Sequence, residues 1–361
     1  MSSRRRVVVV GCGIVGASAA FHLVDGGVEV VLVDDERVGR ATYAGAGIVS
    51  WPWRDPGRPR FELRRHSVQA YPALAARVGA RLDVIGGIFV APVGRLLDES
   101  EAALAAGVVG PVRRLSPEDA HAMFPYLAPD LAALHVATTA RVEGDVMRAR
   151  LIDAAVAAGA ELVAGRAELA CGARRVEAVT VDGRRILASE VLVAAGTWSA
   201  ELTAPAGASI AVAPQRGQIL HLGVDEDTTA MPAVQPLGAD HYLLPFPDRR
   251  VVVGATRETG SGFDPRVTAG GVARVLDDAL QVAPGLADAT LRELRVGLRP
   301  ATPDGDPILG PVPGCAGLWV ATGMGPAGLT LGPYCGRLIV DTILQRPTEI
   351  DLAPFAPGRF G

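Results

Sequence analysis

The stretch Val7 to Leu23, V-V-V-V-G-C-G-I-V-G-A-S-A-A-F-H-L, limits the possible folds more than any other part of the chain. Four consecutive valines suit a strand buried on both faces, where β-branched side chains pack well. Gly11, Gly13 and Gly16 follow at G-x-G-x-x-G spacing, and Ala17 to Ala20 open a helical pattern. The first glycine permits a tight turn, the second lets backbone approach a pyrophosphate, and the third lets helix and strand pack closely. The helix N-terminus adds free N–H groups and a positive dipole end. A second apolar run, Val28 to Val33, ends at Asp34 and Asp35. An acid ~20 residues past the glycines is where a ribose hydroxyl is held. A glycine-rich turn with no ligand is the plain alternative, and it requires neither the helix nor the acid.

Arg4-Arg5-Arg6 followed by an apolar run imitates a secretory signal. A signal needs no glycine register and would not lead into a second strand, so the stretch reads as mature structure. At 361 residues the chain is long enough for two domains. Net charge is −4, which gives no sign of a nucleic-acid partner. Cys12, Cys171, Cys315 and Cys335 lack C-x-x-C spacing, so neither zinc nor a disulfide framework is expected and a cytoplasmic location fits. No other run reaches the ~18 apolar residues of a membrane span. The chain has no lysine, which excludes a Schiff base and argues against pyridoxal-phosphate chemistry.

After Asp35 comes a small-residue loop, Arg40-Ala41-Thr42 then Tyr43 to Ile48, whose N–H groups and hydroxyl suit phosphates or the edge of a flat ring. Trp51, Trp53 and Arg54 follow; the tryptophans suit a pocket wall and plain core about equally. Helices are expected over Phe61–Val78, from the Ser116 cap, over Gly144–Ala158, over Ala269–Val282 and after Leu329. Strands are expected at Val84–Ala91, Glu161–Ala164, Val191 onward and Leu318–Thr322, with a hairpin from Tyr242 to Ala255. No low-complexity linker interrupts the chain, so a second domain must be interleaved with the first.

Four segments in order carry a family resemblance: the glycine fingerprint with Asp34, A-T-Y-A-G-A-G-I, V-L-V-A-A-G-T-W, and G-L-R-P…D-G-D-P-I-L-G with G-M-G-P-A-G-L-T. The chain resembles the FAD-dependent D-amino-acid oxidase family over essentially its whole length, most nearly the glycine oxidase and sarcosine oxidase branch. The resemblance implies an α/β fold: a Rossmann-like FAD-binding domain with an interleaved mixed or antiparallel-sheet substrate domain. The first would comprise residues 1–71, 144–208 and 301–361, and the second residues 72–143 and 209–300.

By resemblance, Gly11, Gly13, Ile14 and Gly16 hold the pyrophosphate, and Asp34 with Asp35 the adenosine ribose. Arg40, Ala41 and Thr42 continue along the phosphates, while Ala46, Gly47 and Ile48 approach the flavin ring. Glu168 meets the adenine side through its backbone, and Gly196 and Trp198 the ribityl side. Gly325, Pro326, Ala327, Gly328, Leu329 and Thr330 present N–H groups to the pyrimidine edge, where negative charge gathers.

The same resemblance makes Arg299 the substrate carboxylate clamp, close to the flavin, supported by the Tyr242 hydroxyl. A guanidinium fork matches a carboxylate bidentately. Trp51, Trp53, Arg54, His241, Met324 and Pro326 are the further pocket candidates. Pro326 stands where glycine oxidases carry another arginine, which argues against glycine itself as the preferred substrate. Val296 stands at the position of the covalent-flavin cysteine of sarcosine oxidase, so non-covalent FAD is expected. That enzyme's oxygen-activating lysine is absent.

The implied reaction is hydride transfer from the carbon next to an amine to flavin N5. The imine is then hydrolysed, and dioxygen yields hydrogen peroxide. An amino acid, in particular an N-substituted glycine, is the expected small-molecule partner. A D-amino-acid dehydrogenase passing electrons to a quinone or carrier, a nicotinamide enzyme and a non-catalytic flavin-binding module remain alternatives. Oligomeric state is not readable from the sequence.

Overall fold

The computed structural model describes residues 5–51, 56–106 and 110–360. β1 (Arg6–Val10), α1 (Ile14–Asp25) and β2 (Glu29–Asp34) form the expected unit, with β1 and β2 parallel and Val10 opposite Val33. Val7, Val8 and Val9 are fully buried because the sheet around them is covered on both faces. Its six strands run in the order Ile308–Pro311, Leu318–Thr322, Glu190–Val193, β1, β2, Glu161–Ala164. All neighbours are parallel except the first pair, which is antiparallel.

Small residues let the layers close. A Cβ on Gly16 would overlap the Gly11 carbonyl oxygen, so α1 leaves β1 at a distance only glycine permits. The C-terminal helix Gly328–Ile343 crosses α1 through Gly336, where a Cβ would meet the Val15 carbonyl oxygen at 2.7 Å. The Ser18 hydroxyl also donates to the Pro333 carbonyl at 2.6 Å. α2 (Pro59–Val78) packs on the same helix and is continuous through Tyr71, which is 1% exposed.

A nine-stranded sheet, largely antiparallel, faces this layer. Its strands come from residues 87–136 and 213–301. Its backbone is a pair of long strands, Ala213–Gly223 and Thr290–Ala301, matched from Ala213–Ala301 to Gly223–Thr290. The expected hairpin is present as Tyr242–Phe246 and Arg250–Gly254. The strand expected at Val84–Ala91 is two strands, Asp83–Val84 and Gly87–Pro92. The amides of Ile85 and Gly86 both turn to the Thr139 carbonyl, and Gly86 takes a φ of 72°, which breaks the run.

Gly16→Ala should destabilise the protein by about 1–3 kcal/mol, since the added methyl has only backbone to displace; chemical denaturation measures it. His221 is 2% exposed, and burial first, then Arg295 and Arg250, pull its pKa from 6.5 to about 4. The unfolded chain takes up that proton earlier, so stability should fall as the pH drops from 6.5 to about 4. His221→Gln should flatten that part of the pH–stability curve.

Candidate functional site

A cavity of about 590 Å³ is lined from both sheets, within the roughly 300–1,000 Å³ range of ligand and cofactor sites. At one end stands Asp34, the last residue of β2. Its carboxylate accepts from the Cys12 amide and, at 2.7 Å, from the Glu36 amide. α1 begins beside it with no acid in its first turn and no side-chain cap on Gly13, so beyond the Ile14 amide its positive end is left to a ligand. Thr42 Oγ1 accepts from the Ile14 amide at 3.1 Å and holds the Arg40–Thr42 loop against that helix start.

Further along, Gly196, Thr197 and Trp198 form a short turn on the wall. The Thr322 hydroxyl donates to the Gly196 carbonyl at 2.7 Å. Thr197 Oγ1 is buried with no hydrogen-bond partner, a polar atom for a ligand to satisfy. The Trp198 ring has the Arg37 guanidinium 5.5 Å away and stacks with the Phe263 ring at 6.0 Å. The helix Gly328–Ile343 also starts at the wall with no acid in its first turn and no side-chain cap. The Thr330 hydroxyl donates to the Ile48 carbonyl at 2.9 Å, tying this helix start to the Ala46–Ile48 loop. Two open helix N-termini, a carboxylate at a strand end and an orphaned hydroxyl fit a diphosphate-linked dinucleotide.

The other end is built on the nine-stranded sheet. The Arg299 guanidinium lies flat on Gly217, where any Cβ would overlap it, and donates to the Thr256 carbonyl at 2.8 Å. Burial lowers its pKa, with Tyr242 opposing that shift. Gly254, opposite Tyr242 in the hairpin, leaves the phenol similar room: a Cβ there would sit 3.2 Å from the hydroxyl. Burial raises the Tyr242 pKa more than Arg299 and Arg257 lower it, so the hydroxyl remains a donor at neutral pH. His241 Nε2 is buried without a partner, and burial lowers the ring's pKa, so it is neutral at pH 7. Arg64 also lines the cavity, donating to the Ser50 carbonyl at 2.8 Å, with its pKa pulled down to about 10 by burial and then by Arg60.

Most residues singled out from the sequence therefore share one cavity wall, including Asp35, Arg40, Ala41, Gly47, Met324 and the Gly325–Thr330 run. Three do not. Gly16 lies behind the wall and acts through packing. The Glu168 side chain is exposed, while its backbone, the part expected to meet the adenine, adjoins Ala167 on the cavity wall. Trp51 packs into the apolar core against Phe89 and its neighbours and is not on the cavity wall. Trp53 and Arg54 lie outside the described residues. The sequence reading passed over Arg37, Arg64, Gly217 and Arg257. Gly217, alone among these, carried a local signal, as a glycine interrupting a strand pattern.

Comparison with known proteins follows the same lines. The family model described as DAO, FAD dependent oxidoreductase, matches residues 6–342. An uncharacterized oxidoreductase, YurR, of Bacillus subtilis (strain 168) is 38% identical over 97% of this chain and 98% of its own. A glycine oxidase of Pseudomonas aeruginosa is 36% identical over 98% of each chain. Among solved structures, iminodiacetate oxidase from Chelativorans sp. BNC1 superposes with a TM-score of 0.93 at 40% identity, covering 98% of this chain and 99% of that one. Glycine oxidase from Geobacillus kaustophilus gives 0.88 at 29% identity, with the same coverage.

Gly217→Ala should displace the Arg299 guanidinium while leaving the Asp34 end of the cavity intact. The expected outcome is a protein of near-normal stability, with Arg299 shifted in a crystal structure of the variant.

Proposed function

This chain belongs to the DAO family of FAD-dependent oxidoreductases, and on that premise we propose that it oxidises the C–N bond of a glycine derivative, an N-substituted glycine. It is a glycine-oxidase-like flavoprotein, and the residues present fit FAD. The pyrophosphate would lie at Gly11, Gly13 and Ile14 with Arg40 to Thr42 alongside, and the ribose at Asp34. Gly196 to Trp198 would flank the ribityl chain, and the helix start at Gly325–Thr330 would face the pyrimidine edge. Val296 stands where a covalent link would need a cysteine, so the cofactor is held non-covalently. Bound FAD supplies the two-electron acceptor for a hydride from the carbon beside nitrogen.

The observation that carries the substrate reading is Arg299. It is a desolvated guanidinium that forms no ion pair among the described residues and sits against Gly217 near a protonated tyrosine. A half-buried cation with no ion pair gains from an anion that reaches it, and a carboxylate matches its fork. Arg299 and Tyr242 would clamp the carboxylate and so orient the adjacent carbon, making positioning the main contribution of the protein. No side chain needs to act as a strong base; neutral His241 can accept or donate one hydrogen bond. Overall, amine, dioxygen and water give a carbonyl acid, the freed amine and hydrogen peroxide. We propose the same division of labour for the chain: residues 1–71, 144–208 and 301–361 hold the cofactor, and residues 72–143 and 209–300 the substrate. α2 is shared between the two parts.

The test is oxygen uptake and peroxide release by the purified yellow protein with N-alkylglycines, glycine and D-amino acids. Oxidation of D-amino acids alone would overturn the reading, and flavin bleaching by amines without oxygen uptake would point to another acceptor. Arg299→Ala should lower kcat/KM by about 30- to 1,000-fold, corresponding to about 2–4 kcal/mol for truncating one partner of a buried charge contact. Arg299→Lys should recover only part of this, because an ammonium cannot form the fork.

A further inference from the structure

The substrate end of the cavity carries more positive charge than one carboxylate requires. Arg257 lines it as well as Arg299, and both act electrostatically on the Tyr242 hydroxyl. They are tied to adjacent backbone, since Arg299 donates at 2.8 Å to the carbonyl of Thr256, the residue before Arg257. Each guanidinium raises the cost of the other until an anion lies between them. The acids nearby do not supply that anion. Glu258 acts on Arg299 from a distance but is committed by hydrogen bonds to Arg216, Gln218 and Thr256. Asp240 stands 3.3 Å from Arg257, but the side chains are 63% and 40% exposed, so in water this pair contributes little. Among the described residues Arg257 has no other ion-pair partner.

We propose that Arg257 binds a second carboxylate, which makes N-(carboxyalkyl)glycines, secondary amines with an acid on each arm, the preferred substrates. This rests on the amine-oxidase reading above and names the substrate class of that site. Arg299 and Tyr242 hold the carboxylate of the arm that is oxidised, and Arg257 holds that of the arm released as an amino acid. Glycine and N-methylglycine have no group to reach Arg257, so this residue sets preference and leaves the chemistry alone. Asp240 competes with the second carboxylate for the same guanidinium and repels it. Removing Asp240 therefore favours a diacid, although it breaks an ion pair.

The test uses the FAD-loaded enzyme and two ligands with sulfur in place of the amine, thiodiacetate and (methylthio)acetate, with binding followed by the change in the flavin's visible spectrum. Arg257→Gln should weaken thiodiacetate by about 10- to 100-fold and (methylthio)acetate by less than about twofold. Asp240→Asn should tighten thiodiacetate, and Arg257→Lys should restore part of the loss. In turnover, Arg257→Gln should raise KM for iminodiacetate with little change in kcat, and raise KM for N-methylglycine far less. The proposal is overturned if Arg257→Gln weakens both ligands equally or neither. It is also overturned if Arg257→Gln and Asp240→Asn shift thiodiacetate in the same direction, as a structural ion pair requires. A preserved diacid preference with no amine oxidised would sink the amine-oxidase reading and leave Arg257's role standing. Amine oxidation without diacid discrimination would do the reverse.

Discussion

The backbone contact between Gly16 and the Gly11 carbonyl, which no side chain could share, governs how the cofactor half is assembled. It presses α1 onto β1, so the first turn of α1 opens at the end of the strand and faces the cavity. The same closeness recurs on the far side of α1, where Gly332 and Gly336 admit the C-terminal helix. That second helix also reaches the cavity with its N-terminus. Two macrodipoles thus converge on one space, each worth a fraction of a kcal/mol at an exposed site and up to ~2 kcal/mol in a partly buried one. Neither first turn carries an acid to cancel the effect.

The substrate half uses glycine differently. Gly217 and Gly254 clear the floor of the sheet so that a guanidinium and a phenol can lie low on it. Burial then disfavours the charged form of each group: it lowers the pKa of Arg299, a desolvated cation, and raises that of Tyr242, which resists ionisation. A cation placed this way has little to gain from water and much to gain from a carboxylate, which turns an energetic liability into recognition.

Much of the cofactor half was legible because its signals are local. A buried run of valines, a fixed glycine spacing and an acid at the next strand end lie within one short stretch of chain. The substrate half was less legible. The strands Ala213–Gly223 and Thr290–Ala301 carry Gln, Arg, Glu and Gly in no clean alternation, and their stability comes from pairing with each other across a long sequence separation. Trp51 shows the converse limit: its sequence neighbours suit a pocket wall, but it is half-buried and packs against the apolar core.

The sequence by itself determined the dinucleotide unit, the order of the segments that carry the family resemblance, and Arg299 and Tyr242 as the residues to watch. The first depends on residue type at a set spacing and the others on the resemblance of short motifs, both of which a one-dimensional string preserves. Only the tertiary structure decided that Arg257 and Arg299 line one cavity and act on the same tyrosine, that Gly217 supports the guanidinium, and that two helix starts share that cavity. Those facts depend on strand register and helix crossing, which bring together residues far apart in the chain. The Val7–Leu23 stretch anchors the cofactor half, and long-range pairing in the other sheet sets what reaches it.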